Sequence, residues 1–211
     1  MTDLDRRSHW QNAHQTKGER DVSWFQENPT VSLDLIRATG VAHDASIVDI
    51  GGGTSRLIDA LFTEGFSSIT VLDISEQALA TAKARLGALS AKAEWIAADV
   101  TAWEPSQTYD LWHDRAALHF LTEAADRTAY VERMSRSVRP GGHVIIGTFA
   151  LDGPERCSGL PVVRYDSTAI GALLGPSFVF LESRRHSHQT PMGTIQRFQF
   201  SRFRRGSRLS Q

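Results

Sequence analysis

Three aspartates and three adjacent glycines have the types and spacing of a ligand site. Asp49 stands just before Gly51, Gly52 and Gly53; Asp73 lies 20 residues past Gly53, and Asp99 comes later still. Glycine has no Cβ, so its backbone can approach a ligand closely and adopt positive φ. A carboxylate placed like Asp73 can accept hydrogen bonds from both hydroxyls of a ribose. That feature alone suits a dinucleotide and a cationic nucleoside equally. The turn discriminates better. The dinucleotide fingerprint needs glycine at its sixth position, where this chain has Arg56. Asp49 and Asp99 would repel a pyrophosphate but attract a ligand carrying a sulfonium and an ammonium. Asp99 stands where an adenine amino group can be met, with Val100 as an apolar wall beside it.

A second group is His113-Asp114-Arg115. One of these can serve as a general base or hold an acceptor, and Asp114-Arg115 can equally be a structural ion pair. Trp24, in a polar N-terminal stretch, suits a lid whose ring faces a bound cation. Cys157, His186 and His188 lack the patterned ligand spacing of a metal site, and no metal is expected.

The elements that must position these residues follow from periodicity. Ser46–Ile50 is a short apolar run, followed by the glycine turn and a helix from about Thr54. Ser68–Asp73, Ala93–Ala97, Tyr109–Asp114 and His143–Phe149 read as further buried strands. Ser75 caps a helix to about Leu86, Thr122 opens a long helix, and Pro140-Gly141-Gly142 reads as a sharp turn. Leu4–Lys17 reads as an N-terminal helix, and Asn28-Pro29 opens another that ends at Gly40. Phe178–Leu181 and Ile195–Phe203 complete seven strands, with a polar connection holding His186, His188 and Pro191 between them. Alternating strands and helices imply an α/β, doubly wound, mostly parallel seven-stranded sheet with an antiparallel edge strand and helices on both faces. Ligands of such sheets lie outside the carboxyl ends of the strands, which gathers all the residues named above into one crevice.

At this point five motifs stand in order: Val48-Asp49-Ile50-Gly51-Gly52-Gly53-Thr54, Leu72-Asp73-Ile74-Ser75, Ala98-Asp99-Val100, Tyr109-Asp110-Leu111-Trp112 and Arg139-Pro140-Gly141-Gly142. Together they resemble the successive motifs of class I S-adenosylmethionine-dependent methyltransferases over roughly residues 30–150. The resemblance implies S-adenosylmethionine as cofactor, held by Asp49, Gly51, Gly52, Gly53, Arg56, Asp73, Ile74, Asp99, Val100, His113 and Trp24. His113, Asp114 and Arg115 then become the catalytic candidates. His9-Trp10, Val22-Ser23-Trp24-Phe25 and Trp112-His113-Asp114-Arg115 are also similar to the thiopurine and thiol methyltransferase group. The loop from Asp152 to Tyr165 and the stretch 188–196 match neither group, which leaves the acceptor open.

Composition bounds the rest. The 211 residues fit one domain, divided into an N-terminal lid (1–30), a cofactor-binding core (31–150) and an acceptor-side loop with edge strands (151–211). A net charge of −1 gives no overall pull on nucleic acid or anionic membrane. The arginine-rich ending, 197–211, reads as a solvated, frayed terminus. One cysteine, no long apolar run and no signal-peptide pattern fit a cytoplasmic protein. The expected function is methyl transfer by in-line displacement to a small-molecule acceptor, a thiol among them. Protein-lysine methylation, nicotinamide-dependent oxidoreduction and a catalytically idle cofactor-binding module are the alternatives. The oligomeric state is not legible.

Overall fold

A computed structural model describes residues 3–207. Its centre is a seven-stranded sheet of β1 (Ser46–Ile50), β2 (Ser68–Asp73), β3 (Ala93–Ala97), β4 (Tyr109–Arg115), β5 (Val138–Phe149), β8 (Phe178–Gln189) and β9 (Ile195–Arg205). The spatial order is β3-β2-β1-β4-β5-β9-β8. Strands β1 to β5 pair in parallel, and β9 runs antiparallel between β5 and β8. The chain reverses its winding between β1 and β4, so the crevice opens there. A two-stranded hairpin, β6 (Arg156–Cys157) with β7 (Leu160–Pro161), folds within the loop after β5.

Successive side chains of a strand point to opposite faces, and both faces are covered. Val48, Trp112, Val144 and Ile146 pack on one side with α5 (Ala124–Ser137) and α6 (Ser167–Leu174). Ile47, Leu111 and Ile145 pack on the other with α2 (Thr30–Arg37), α3 (Leu57–Thr63) and α4 (Glu76–Leu86). This is why the central strands are apolar on both faces over much of their length, with Asp49, His113 and Asp114 towards their carboxyl ends. Ser75 caps α4 by accepting from the Ala78 amide at 3.2 Å, and Asp166 caps α6 by accepting from Ala169 at 2.8 Å. No helix of the described residues is long and apolar enough to cross a membrane.

Several boundaries differ from expectation. Helix α3 starts at Leu57, not Thr54, because the Ser55 hydroxyl accepts from the Leu57 amide at 3.1 Å and keeps 54–56 in a turn. Helix α5 starts at Ala124 rather than Thr122. Pro140-Gly141-Gly142 lies within β5 rather than in a separate turn. Tyr109 pairs with Val138 and Leu111 with His143, so the residues between loop out as a bulge, with Gly141 at φ +81°. The stretch expected as a polar connection is strand: β8 runs on to Gln189, its exposed face accounting for the polar sequence.

Strand β9 also corrects the frayed terminus. Arg202 pairs with Glu182 at 2.7 Å, Arg197 with Asp152 at 3.3 Å, and Arg204 donates to the Gly141 carbonyl at 3.1 Å. Residues 208–211, the end of that stretch, lie outside the described residues.

Candidate functional site

The crevice at the carboxyl ends of β1, β2 and β4 brings together Asp49, Gly51, Gly52, Gly53, Arg56, Asp73, Ile74, Asp99, Val100, His113, Arg115 and Trp24. Its floor is the glycine turn. Gly51 and Gly52 both donate to the Leu72 carbonyl, at 2.8 and 3.2 Å, which folds the turn back over β2. A Cβ on Gly52 would come within 2.7 Å of the Asp49 carboxylate, and one on Gly53 within 2.6 Å of Asp73. Gly53 also has φ +33°. Only glycine lets the two carboxylates lie this close to the main chain.

Asp73 is buried, and one of its oxygens accepts from the Ser75 amide at 2.8 Å. Burial pushes its carboxyl up to about 7, with the charge of Asp49 adding to the rise and amide donors opposing it. Hydroxyl donors from a ribose would favour its ionised form. Asp49 is buried as well, and His113 explains how it is held. The two residues are register partners on adjacent strands. The His113 Nδ1 donates to Asp49 at 2.7 Å, and Nε2 meets the Ser32 hydroxyl of α2 at 2.9 Å. Both ring nitrogens of His113 are thus engaged, one by Asp49 and the other by Ser32.

Asp114 departs most from expectation. It is fully buried and does not line the crevice. Ala116 takes φ +70°, and the chain turns so that Asp114 accepts from the amides of Ala117 at 2.8 Å and Leu118 at 3.0 Å. The Tyr130 hydroxyl donates to the same carboxylate at 2.7 Å and accepts from the Trp112 indole at 2.9 Å. Burial raises Asp114 to about 6. Its role is to fix the corner after β4, and it makes no ion pair with Arg115. The Arg115 guanidinium instead reaches the Trp24 carbonyl at 2.9 Å. Burial lowers it to about 10, so it stays a cation at neutral pH and cannot serve as a general base.

Asp99 lines the crevice, but its charge is already met. Arg6 of α1 (Asp3–Thr16) donates to it at 2.9 Å, and the Thr101 amide and hydroxyl donate to its other oxygen. Arg6 also pairs with Asp126 of α5. The electrostatic pull of the crevice on a cation therefore rests on Asp49 and Asp73. Arg56 turns to Glu19 at 2.7 Å, and Arg85 shares that carboxylate; a side chain at 56 is tolerated because it leaves the helix–strand contact.

Arg6, Trp10 and His14 are site residues that the sequence reading did not assign. They recur at intervals of four on α1, so they share one helix face, and all three line the crevice. That spacing was the available signal. Gln11 adds a tie to α4 by accepting from the Ser75 hydroxyl at 2.7 Å and the Gln77 amide at 3.0 Å. Trp10 packs against Trp24 and Phe120 at 5.7 and 4.9 Å between ring centroids. His14 is pushed down to about 4 by burial, so it is neutral at pH 7. Cys157 also lines the crevice, with its thiol pushed up to about 11 by burial. His188 donates from Nε2 to the Ser23 carbonyl at 2.8 Å and tethers the N-terminal segment.

Residues 47–142 match the family model described as "Methyltransferase domain". Over that stretch, just under half of its length, the chain is similar to methyltransferase domains. It is 28% identical over 127 residues to the trans-aconitate 2-methyltransferase of Azoarcus sp. (strain BH72), covering 59% of this chain and 47% of that one. It is 32% identical over 123 residues to the ubiquinone biosynthesis O-methyltransferase of Alkalilimnicola ehrlichii, covering 57% and 48%. The chain thus spans about half the length of the curated relatives it matches. Its fold is also that of the N-methyltransferase NodS from Bradyrhizobium japonicum WM9, solved with S-adenosyl-L-homocysteine. The TM-score is 0.69 at 20% identity, over 92% of this chain and 97% of that one.

Proposed function

We propose that this chain binds S-adenosylmethionine across β1 and β2 and transfers its methyl group to a small-molecule acceptor entering from the β4 side. The observation that carries the reading is the joint placement of Asp49 and Asp73 against a turn that admits only glycine. The fit is chemical. Asp73 can accept from the ribose, Asp49 faces the cationic end, and Ile74 and Val100 give apolar walls for the base. When bound, the cofactor supplies a methyl carbon activated by its sulfonium. Within the N-terminal segment, residues 3–30 act as a lid: Arg6 and Gln11 fasten α1 to the rim, and Trp10 and Trp24 exclude water from the crevice. Residues 31–150 hold the cofactor, and 151–207 shape the acceptor side through Cys157 and the tether from His188.

The chain's own groups also bear on the acceptor. His113 is committed to Asp49, and Asp114 is turned away. His14 is neutral but, at about 4, a weak base. This favours a nucleophile that needs little help to lose its proton, such as a thiol, over an alcohol. The relatives' names, trans-aconitate and ubiquinone biosynthesis, agree with a small molecule.

Calorimetry with S-adenosylhomocysteine and NADH tests the cofactor. Binding of NADH in place of S-adenosylhomocysteine overturns the reading. Methyl transfer from labelled cofactor to thiols, carboxylates, phenols and amines, with cell protein as a parallel substrate, tests the acceptor. Label appearing only in protein would exclude a small-molecule acceptor.

A further inference from the structure

Arg115 is a cation at the edge of the crevice that makes no ion pair among the described residues, Asp49 acting on it only from a distance. Other partly enclosed arginines on the rim have theirs: Arg6 has Asp99 and Asp126, and Arg85 has Glu19 and Asp59. For Arg115, no carboxylate lies within ion-pair distance among the described residues. Nη1 donates to the Trp24 carbonyl. Nε and Nη2 are enclosed and have no hydrogen-bond partner. The guanidinium lies over the Phe198 ring, 5.2 Å from its centroid. Enclosing a charge and leaving two donor positions unmade is costly unless a ligand completes them. A planar guanidinium fork matches an anion best.

Position separates this anion from the cofactor. The nucleoside-facing Asp73 and Asp99 stand on the β1-β2-β3 side of the sheet. The groups that touch Arg115 come from the other side, the N-terminal segment and β9, with Cys157 of the hairpin close by; of the cofactor-side acids only Asp49 acts on it, from beyond ion-pair distance. We propose that the unpaired guanidinium of Arg115, set between Trp24, Phe198 and Cys157, binds the anionic group of a small organic acceptor, a carboxylate or thiolate. This rests on the methyltransferase reading above. A carboxylate would be a handle remote from the reacting atom, whereas a thiolate would be the reacting atom itself. Its sulfur would take the methyl group, the sulfonium leaving as the neutral thioether and the sulfur losing its negative charge.

The test uses the full chain saturated with S-adenosylhomocysteine. Calorimetry measures benzoate and 4-nitrothiophenolate against the neutral methyl benzoate and nitrobenzene. At least one anion should bind tenfold more tightly than its neutral counterpart. In Arg115→Met that preference should drop below threefold, with S-adenosylhomocysteine affinity within threefold of the parent and a cooperative thermal transition retained. A preference confined to benzoate supports the carboxylate form, and one confined to the thiophenolate supports the thiolate form. Equal binding of charged and neutral probes, no binding of either anion, or a preference that survives in Arg115→Met overturns the proposal. Should Arg115→Met not fold, Arg115→Lys decides, because it keeps the charge but loses the fork. A fivefold loss of anion affinity supports the proposal, and unchanged affinity overturns it. A tenfold loss of S-adenosylhomocysteine affinity in a folded Arg115→Met assigns the guanidinium to the cofactor's own carboxylate and overturns it as well. Failure of the parent to bind S-adenosylhomocysteine sinks the methyltransferase reading instead, so the two failures are separable.

Discussion

The β1–β3 side of the crevice and the β4–β9 side are built from different material. The first consists of main chain at a glycine turn with two carboxylates drawn against it, all contributed by residues at or next to strand ends. The second consists of side chains brought from far apart in sequence: Trp10 and His14 of α1, Trp24, Phe120, Arg115 and Cys157. The first side tolerates almost no substitution, because a Cβ at Gly52 or Gly53 meets a carboxylate at under 3 Å. The second is held by ring contacts and single hydrogen bonds such as Arg115 to Trp24 and His188 to Ser23. A turn that fits one cofactor and a softer wall that can be rebuilt for different acceptors would divide binding from specificity.

That comparison can be broken at several points. The largest effect is expected at Gly53→Val, which adds a clash with Asp73 and a side chain at φ +33°. S-adenosylhomocysteine affinity should fall by roughly 100-fold or more, the counterpart of about 3 kcal/mol. A loss under tenfold in calorimetry would show that the turn is not the tight half. Asp73→Ala should cost about 1.5–3 kcal/mol of cofactor binding through lost charged hydrogen bonds; unchanged affinity removes Asp73 from the site.

The same carboxylate sets a pH dependence. Its free-state value is raised to about 7, and ribose donors favour the ionised form. Below that value a proton must leave on binding, so affinity should fall as pH drops from 8 to 6, and Asp73→Asn should flatten the profile. A profile that is flat in the parent would contradict the ribose role.

On the other side of the crevice, Asp114→Asn separates a structural from a catalytic role. It should lower stability by about 1–3 kcal/mol, since buried donors lose a charged acceptor, while measurable transfer persists. Abolished transfer at unchanged stability would restore Asp114 as the base. The smallest effect is expected for Trp24→Ala, about 0.5–2 kcal/mol of cofactor affinity if its ring faces the sulfonium. No change in affinity or rate would confine Trp24 to packing.

The two sides also differ in how far they can be read from sequence. Asp49, Gly51–Gly53 and Asp73 were legible because a strand end, a glycine run and an acid at a fixed interval are local features. Arg6 and Asp99 are 93 residues apart, and no local pattern pairs them. The reading of Asp99 as an acid placed to meet an adenine amino group therefore could not include Arg6. His113 and Asp114 were correctly placed at the end of β4, yet their roles depended on which neighbour each side chain met. Register put His113 beside Asp49, and the left-handed turn at Ala116 sent Asp114 inward to Tyr130. The polar look of β8 hid a strand, because an edge strand with one solvated face need not be apolar.

The sequence by itself determined the order of elements, the parallel sheet and the glycine-and-acid cradle, because periodicity and backbone freedom act over a few residues. Only the tertiary structure decided that Arg6 meets Asp99, that His113 holds Asp49, and that Arg115 faces the crevice without an ion pair. Those outcomes follow from burial and from partners chosen across the sheet, and neither is encoded at the position where the effect is felt.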